Sequence, residues 1–201
     1  MSTQEATHAP QERGFMVYPA GGWRKLMFKA PITLWRLGLG SLLGQVLVLI
    51  THTGRKSGLP RRTLAEFHRL DGHKVVPVAF GARAQWFRNI SADPRVTLQT
   101  ADGTESCRAR RIMDDAELLA AVTAIRAHNP VMFDEYLRSL QIRPAPEDLL
   151  AHKDRIYLLT FDPTGDPTPP PLPADLTWVW WVGGVLLALL WLLRPRRRDR
   201  P

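Results

Sequence analysis

The segment Thr51-His52-Thr53-Gly54-Arg55-Lys56-Ser57-Gly58-Leu59-Pro60-Arg61-Arg62-Thr63 carries four cations, two glycines and four hydroxyl side chains in thirteen residues. Glycine lets the backbone come close to a ligand and expose its N–H groups. Arg and Lys add charge-assisted bonds to oxyanions. The chemistry that suits this run is retention of a phosphate or carboxylate group at a loop between strands. It is not a nucleotide-binding P-loop, because the G-x-x-x-x-G-K-[ST] spacing is absent. A solvated basic turn is the competing reading of the same residues.

A second run, Phe80-Gly81-Ala82-Arg83-Ala84-Gln85-Trp86-Phe87-Arg88-Asn89, places an aromatic pair between side-chain amides just past a strand end. A flat heteroaromatic ligand packs on such rings while amides set its orientation. The alternative is that Trp86 and Phe87 plug one end of a barrel.

Taken together, V-L-V-L-I-T-H-T-G-R-K-S-G-x-P-R-R-T, then D-G-x-x-V-V-x-V-A-x-G, then W-F-R-N-I-x-A-D-P-R-V, resembles the deazaflavin-dependent nitroreductase family over about residues 24–162. The resemblance implies a split β-barrel that uses the reduced deazaflavin coenzyme F-420, in a family that includes quinone reductases. It implies that Arg55, Lys56, Ser57 and Arg61 hold the coenzyme's phosphate and acidic tail, with Arg62, Thr63 and Leu64 continuing that wall. Val78, Ala79, Phe80 and Gly81 then lie beside the ring, and Gln85, Trp86, Phe87 and Asn89 close over it. Phe133 and Tyr136 fall in the stretch where the family carries substrate-side aromatics, so Tyr136 is the candidate proton donor or substrate clamp. Two positions depart from the family pattern: Glu66 stands where an apolar or aromatic residue is common, and Gly81-Ala82 replaces a Gly-Gly pair.

The elements that must position these residues follow from pattern. A short helix with an apolar face precedes a buried strand over 46–52. Thr63 to Leu70 and Lys74 to Phe80 read as a hairpin through Asp71-Gly72, and Arg95 to Ala101 and Thr104 to Ile112 as a second through Asp102-Gly103. Pro77 marks an edge or bulge. Asp114 to Glu117 opens a helix ending near His128, and a second helix spans Val131 to Leu140. Arg155 to Phe161 reads as the last strand. The expected fold is mainly β with flanking helices: a split β-barrel of the FMN-binding-like kind, about six strands, with a C-terminal hydrophobic helix.

The chain divides into a polar, flexible N-terminus (1–22), the split-barrel domain (23–161), a Pro-rich linker (162–175), a hydrophobic segment (176–193) and an Arg-rich tail (194–201). Six prolines in fourteen linker residues favour an extended, semi-rigid spacer. The hydrophobic segment is free of formal charge and has tryptophans at one end, so it is expected to cross or associate with a membrane. Residues 176–200 would then contact lipid, with the barrel on the cytoplasmic side of the cell membrane.

Of 201 residues, 27 are Lys or Arg and 19 are Asp or Glu, but the charge is uneven. Nine bases and no acid lie in 13–65, five arginines and one acid lie in 194–201, and the body between is slightly acidic. A polyanion-coating protein spreads its bases over the main face, so nucleic acid is not the expected partner. The six histidines show no metal-ligand spacing, and the lone Cys107 reads as a buried thiol. These readings make the chain an oxidoreductase passing hydride from the reduced coenzyme to a quinone-like or nitroaromatic acceptor. The alternatives are a non-catalytic, membrane-tethered deazaflavin-binding protein and an FMN- or haem-binding barrel.

Overall fold

The computed structural model describes residues 32–192. The expectations for residues 1–22, for 23–31 and for the tail 194–201 lie outside the described residues. One antiparallel sheet of seven strands dominates: β1 (Leu47–Thr53), β2 (Pro60–Glu66), β3 (His68–Leu70), β4 (His73–Pro77), β5 (Arg95–Thr100), β6 (Gly103–Arg111) and β7 (Leu158–Pro163), in the order β2-β1-β5-β6-β7-β4-β3. Helices α1 (Gly40–Leu43), α2 (Gln85–Ala92), α3 (Asp115–His128), α4 (Pro130–Ser139), α5 (Pro146–Ala151) and α6 (Thr177–Leu192) flank it.

The strand expected over Thr63–Leu70 is two strands. The chain breaks at Phe67, whose ring is buried and whose N–H turns back to the Val46 carbonyl at 3.3 Å. β2 therefore begins earlier and pairs with β1, while β3 pairs with β4. Asp71 (φ 48°) and Gly72 (φ 82°) form the two left-handed turn residues that the Asp-Gly pair signalled. The second hairpin turns one residue earlier than expected, on Ala101 and Asp102, because Gly103 already pairs with Thr100. The strand expected to reach Phe80 stops at Pro77, the last residue that pairs with β7; β3 pairs only as far as Val75.

Two apolar cores result. Inside the curl of the sheet, Val48, Ile50, Val76, Leu98 and Phe161 pack together, so β2 and β4 line the same interior although they lie far apart in the strand order. On the other side, α3, α4 and α5 close over Val75, Ile112, Ile156 and Leu158. Asp114 caps α3 by accepting the Glu117 N–H at 2.9 Å, and Asn129 caps α4 by accepting from Met132 N. Helices α2 and α5 carry no side-chain cap and lay outside the sequence expectation.

The Pro-rich segment is extended, as its composition requires, but it is docked on the sheet. The Thr164 N–H bonds the Ser106 carbonyl at 3.0 Å, the Thr97 hydroxyl bonds Pro169 O and the Thr168 hydroxyl, and Gln99 exchanges two bonds with the Leu172 backbone at 2.7 and 3.1 Å. Leu172 is buried against Trp35 and Leu49. This strap crosses the outer face of β6, β5 and β1 and delivers the chain to α6.

The membrane-crossing expectation for 176–193 finds no support among the described residues. The described part of α6, Thr177–Leu192, reaches about 24 Å at 1.5 Å per residue, against a hydrocarbon core of about 30 Å. Among the described residues no helix is long and apolar enough to cross a membrane.

Gln99→Ala removes both Gln99–Leu172 bonds without touching the inner core or the helix-covered core. The substitution is expected to lower unfolding free energy by about 2 kcal/mol in urea titrations and to speed protease cleavage within 164–175.

Candidate functional site

β1 and β2 are joined by a tight six-residue loop, 54–59, whose shape is set by its own backbone. Gly54 N–H bonds Leu59 O at 2.9 Å, and Gly54 O accepts from the N–H groups of Ser57 (3.0 Å) and Gly58 (2.8 Å). A Cβ on Gly54 would lie 2.9 Å from the Ser57 hydroxyl and 3.2 Å from Leu59 O, so the loop closes only over glycine there. Gly58, at φ +65°, completes the turn.

Arg55 fastens this loop to α2. Its backbone N–H (3.3 Å) and guanidinium (2.7 Å) both donate to Asn89 Oδ1, and the guanidinium also donates to Gln85 Oε1 at 2.8 Å. Asn89 is buried, which makes it a fixed acceptor. Arg55, Gln85 and Asn89, from the two separate sequence runs, thus form one network. Lys56, Ser57 and Arg61 are left exposed at the loop's outer rim.

The wall expected from Arg62 to Leu64 is not continuous. Strand side chains alternate, and Ala65 packs on the inner core while Leu64 packs with Trp35, Leu49 and Leu172 on the strap side. Arg61 and Thr63 therefore share the inner face, whereas Arg62 and Leu64 face outward.

Val78 is fully buried, its N–H bonded to Tyr157 O at 2.9 Å; Ala79, Phe80 and Gly81 form the turn that follows. Gly81 takes φ +52°, and a Cβ there would sit 3.4 Å from the Tyr157 ring. Phe80, Trp86 and Phe87 are half-buried against the inner core, and Phe87 meets Tyr157 edge to face at 5.3 Å. Tyr136 lies deeper than expected. It is buried in α4 beside Phe133, and its hydroxyl accepts the Tyr157 N–H at 3.1 Å.

Residues not singled out from sequence also shape this region. The Arg111 guanidinium stacks 4.0 Å over the Tyr157 ring and donates to the carbonyls of Lys153, Asp154 and Ile156. Arg111, Phe87, Ile90 and Leu159 line a cleft of about 380 Å³. A smaller cleft of about 190 Å³ lies between the loop end and the strap, against Thr53, Pro60, Arg95 and Pro169. No spacing rule connects Tyr157 or Arg111 to the loop, so only the fold reveals them.

Nine of the fourteen Lys and Arg side chains elsewhere in residues 32–192 pair with a carboxylate: Arg69, Lys74, Arg95, Arg108, Arg110, Arg126, Arg138, Arg143 and Lys153; Arg36, Arg83, Arg88, Arg111 and Arg155 do not. Among the described residues, Arg55, Lys56, Arg61 and Arg62 have no carboxylate within ion-pair distance, and Arg62 Nε is buried without a hydrogen-bond partner. Two cations on the loop and two at the start of β2, all without a carboxylate counter-ion, fit a polyanionic group. His52, one step before the loop, is buried with Nδ1 unpartnered. Burial, then the Arg61 charge, lowers its pKa to about 4 against an opposing backbone bond, so the ring is neutral at pH 7. Cys107 is buried in the inner core, and burial pushes its thiol up to about 11. Among the described residues no cluster of three or more His, Cys, Asp or Glu side chains could hold a metal ion.

Residues 37–141 match the family model described as F420H(2)-dependent quinone reductase. Solved structures similar to the chain include that of an F420-H2 dependent reductase (FDR-A), 20% identical over 59% of this chain and 95% of the other, TM-score 0.37. A heme binding protein from Mycobacterium smegmatis is 17% identical over 64% of this chain and 50% of the other, TM-score 0.39. HutZ, the heme storage protein from Vibrio cholerae, is 13% identical over 69% and 92%, TM-score 0.41. Scores this low carry no functional argument; the family match does. No curated protein matches the chain.

The His52 shift has a defined sign. Its folded pKa lies below the ordinary value of 6.5, so the stability it contributes is full above that pH and is lost as pH falls toward 4. About 3 kcal/mol of pH-dependent stability is expected over this window. Unfolding titrations of His52→Gln are expected to show a correspondingly flatter profile between pH 6.5 and 4.5 than the parent protein.

Proposed function

This chain belongs to the F420H(2)-dependent quinone reductase family, and on that premise we propose that it passes hydride from the reduced deazaflavin coenzyme to a quinone-like or nitroaromatic acceptor at a membrane. The single observation that carries the coenzyme assignment is the group of cations without counter-ions on the loop and the start of β2, with the loop fastened to α2 through Arg55. The curled sheet, with β2 and β4 lining one interior, is read as a split β-barrel.

The residues divide by what their positions allow. Lys56, Ser57 and Arg61 at the rim engage the phosphate and carboxylates of the coenzyme's tail, and Arg62 adds charge from the outer face of β2. Arg55 spends its donors on Gln85 and Asn89 and so positions the loop. Gly81, Trp86 and Phe87 stand on the ring side, where half-buried aromatics exclude water from the reacting face. When bound, the reduced deazaflavin supplies the hydride. Tyr136, proposed from its place in the chain as proton donor or clamp, holds the Tyr157 N–H and acts here as a positioning residue for the Tyr157 ring.

Binding is tested by titrating the oxidised and reduced coenzyme into the purified protein. Lys56→Ala and Arg61→Ala are each expected to weaken binding about tenfold, with a smaller salt dependence than the parent. Turnover is tested separately with a menaquinone analogue. Binding without turnover would leave a coenzyme carrier, FMN or haem retained in place of deazaflavin would indicate a different barrel protein, and no binding at all would overturn the reading.

A further inference from the structure

α6 is apolar on every side and covered on almost none. Trp178, Val179, Trp180, Trp181 and Val182 are consecutive and all exposed, Trp180 at 83% and Trp181 at 78%. Successive helical residues step by about 100°, so these five point around a full turn. A protein partner buries one stripe of a helix and leaves the opposite face polar. A helix that is apolar in all directions suits a solvent that is apolar in all directions, which is lipid hydrocarbon. The tryptophans at its start and the five arginines in 194–200 are the side chains that favour an interface and anionic headgroups.

The helix is not on a free tether. Asp175 N–H bonds Arg36 O at 2.6 Å, and the Trp178 indole donates to Leu37 O at 3.2 Å. Gly38, at φ +87°, lies so close to Leu176 that a Cβ would overlap its side chain. Upstream, Gln99 and the buried Leu172 fix the strap. The segment that receives α6 is itself apolar and exposed: Leu34, Leu37, Leu39, Leu42 and Val46 all face out, Leu42 at 64%.

We propose that this segment and α6 form one lipid-facing surface, so that the folded domain seats on a bilayer in a single orientation set by the strap. The proposal rests on the membrane association proposed above and adds the pose. β1 starts beside this surface and ends at the cation loop, seven residues later. At about 3.3 Å per residue the loop stands roughly 20 Å from the apolar face, more than two Debye lengths at physiological salt. Anionic headgroups therefore do not compete for the site, and the coenzyme's tail binds from water.

The test uses the full-length protein and vesicles of phosphatidylcholine with phosphatidylglycerol. Cys107 is buried, so a cysteine introduced by Leu42→Cys or Lys56→Cys is selectively labelled with an environment-sensitive fluorophore. Flotation with vesicles is expected, with a blue shift and severalfold brightening at position 42 and none at 56. Gln99→Ala, checked for folding by thermal melting, is expected to float but to lose most of the shift at 42. Flotation with no shift at either position would overturn the pose while leaving a tethered membrane association. Shifts at both positions, or a lipid-free shift at 42 that grows with protein concentration, would also overturn it, the latter by assigning the face to a second copy. Failure to float would overturn the membrane reading itself, whatever the coenzyme titration shows.

Discussion

A single strand sets the terms for this molecule. Every side chain of β1 from Val48 to His52 is buried, although an antiparallel sheet ordinarily leaves one face to water. Val48 and Ile50 face the interior of the curl, and Leu49 and Thr51 face the other way. That second face must be covered, and no helix of the main body covers it. Trp35 reaches it from one side and Leu172 from the other, so the helical segment before β1 and the strap after β7 are drawn to the same patch. The strap's location, the attachment of α6 and the exposure of the Leu34–Val46 edge all follow from the need to shield one strand.

The same strand carries the site. Its C-terminal end is the last rigid point before the loop, and the β1–β2 register places His52 opposite Arg61. A rigid strand end by itself would leave Arg55 to wander, since a guanidinium on a loop has much rotamer freedom to lose on binding. Asn89 and Gln85 remove that freedom in advance. The consequence is a division of labour among similar side chains: one arginine is committed to structure, and its neighbours remain unpaired for a ligand. Composition cannot distinguish them, because Arg55 and Arg61 are the same residue in the same basic run.

The motifs and hairpins were legible because their signals are local. Asp71-Gly72 specifies a turn through backbone φ alone, and Asp114 and Asn129 cap helices within three residues of themselves. The cation run stood out as a candidate anion site because it gathers four cations and two glycines into thirteen residues. What stayed hidden depended on tertiary contact. α2 has Ala84 in place of a capping side chain, and its Trp86-Phe87 pair reads equally well as a strand end. Proline content says that 162–175 is extended, but nothing in it says that Gln99 and Thr97 will hold it down. Tyr136 could be placed in the right helix but not at the right depth, since its burial is decided by packing against Phe133 and the Tyr157 backbone.

Charge neutralisation separates the body of the sheet from the basic stretch 13–65. Through the body of the sheet, cations meet carboxylates across strands, as Lys74 meets Glu105 and Arg110 meets both Glu117 and Asp162. Those pairs are used up by the fold. The stretch 13–65 contains no acid at all, so its cations find no local partner, and β2 hydrogen-bonds only to β1, itself within that stretch. A loop placed there keeps its positive potential because the topology withholds a counter-ion. That unneutralised potential is what the proposed anionic ligand would complete, and the neutral His52 beneath it adds no further charge to be compensated.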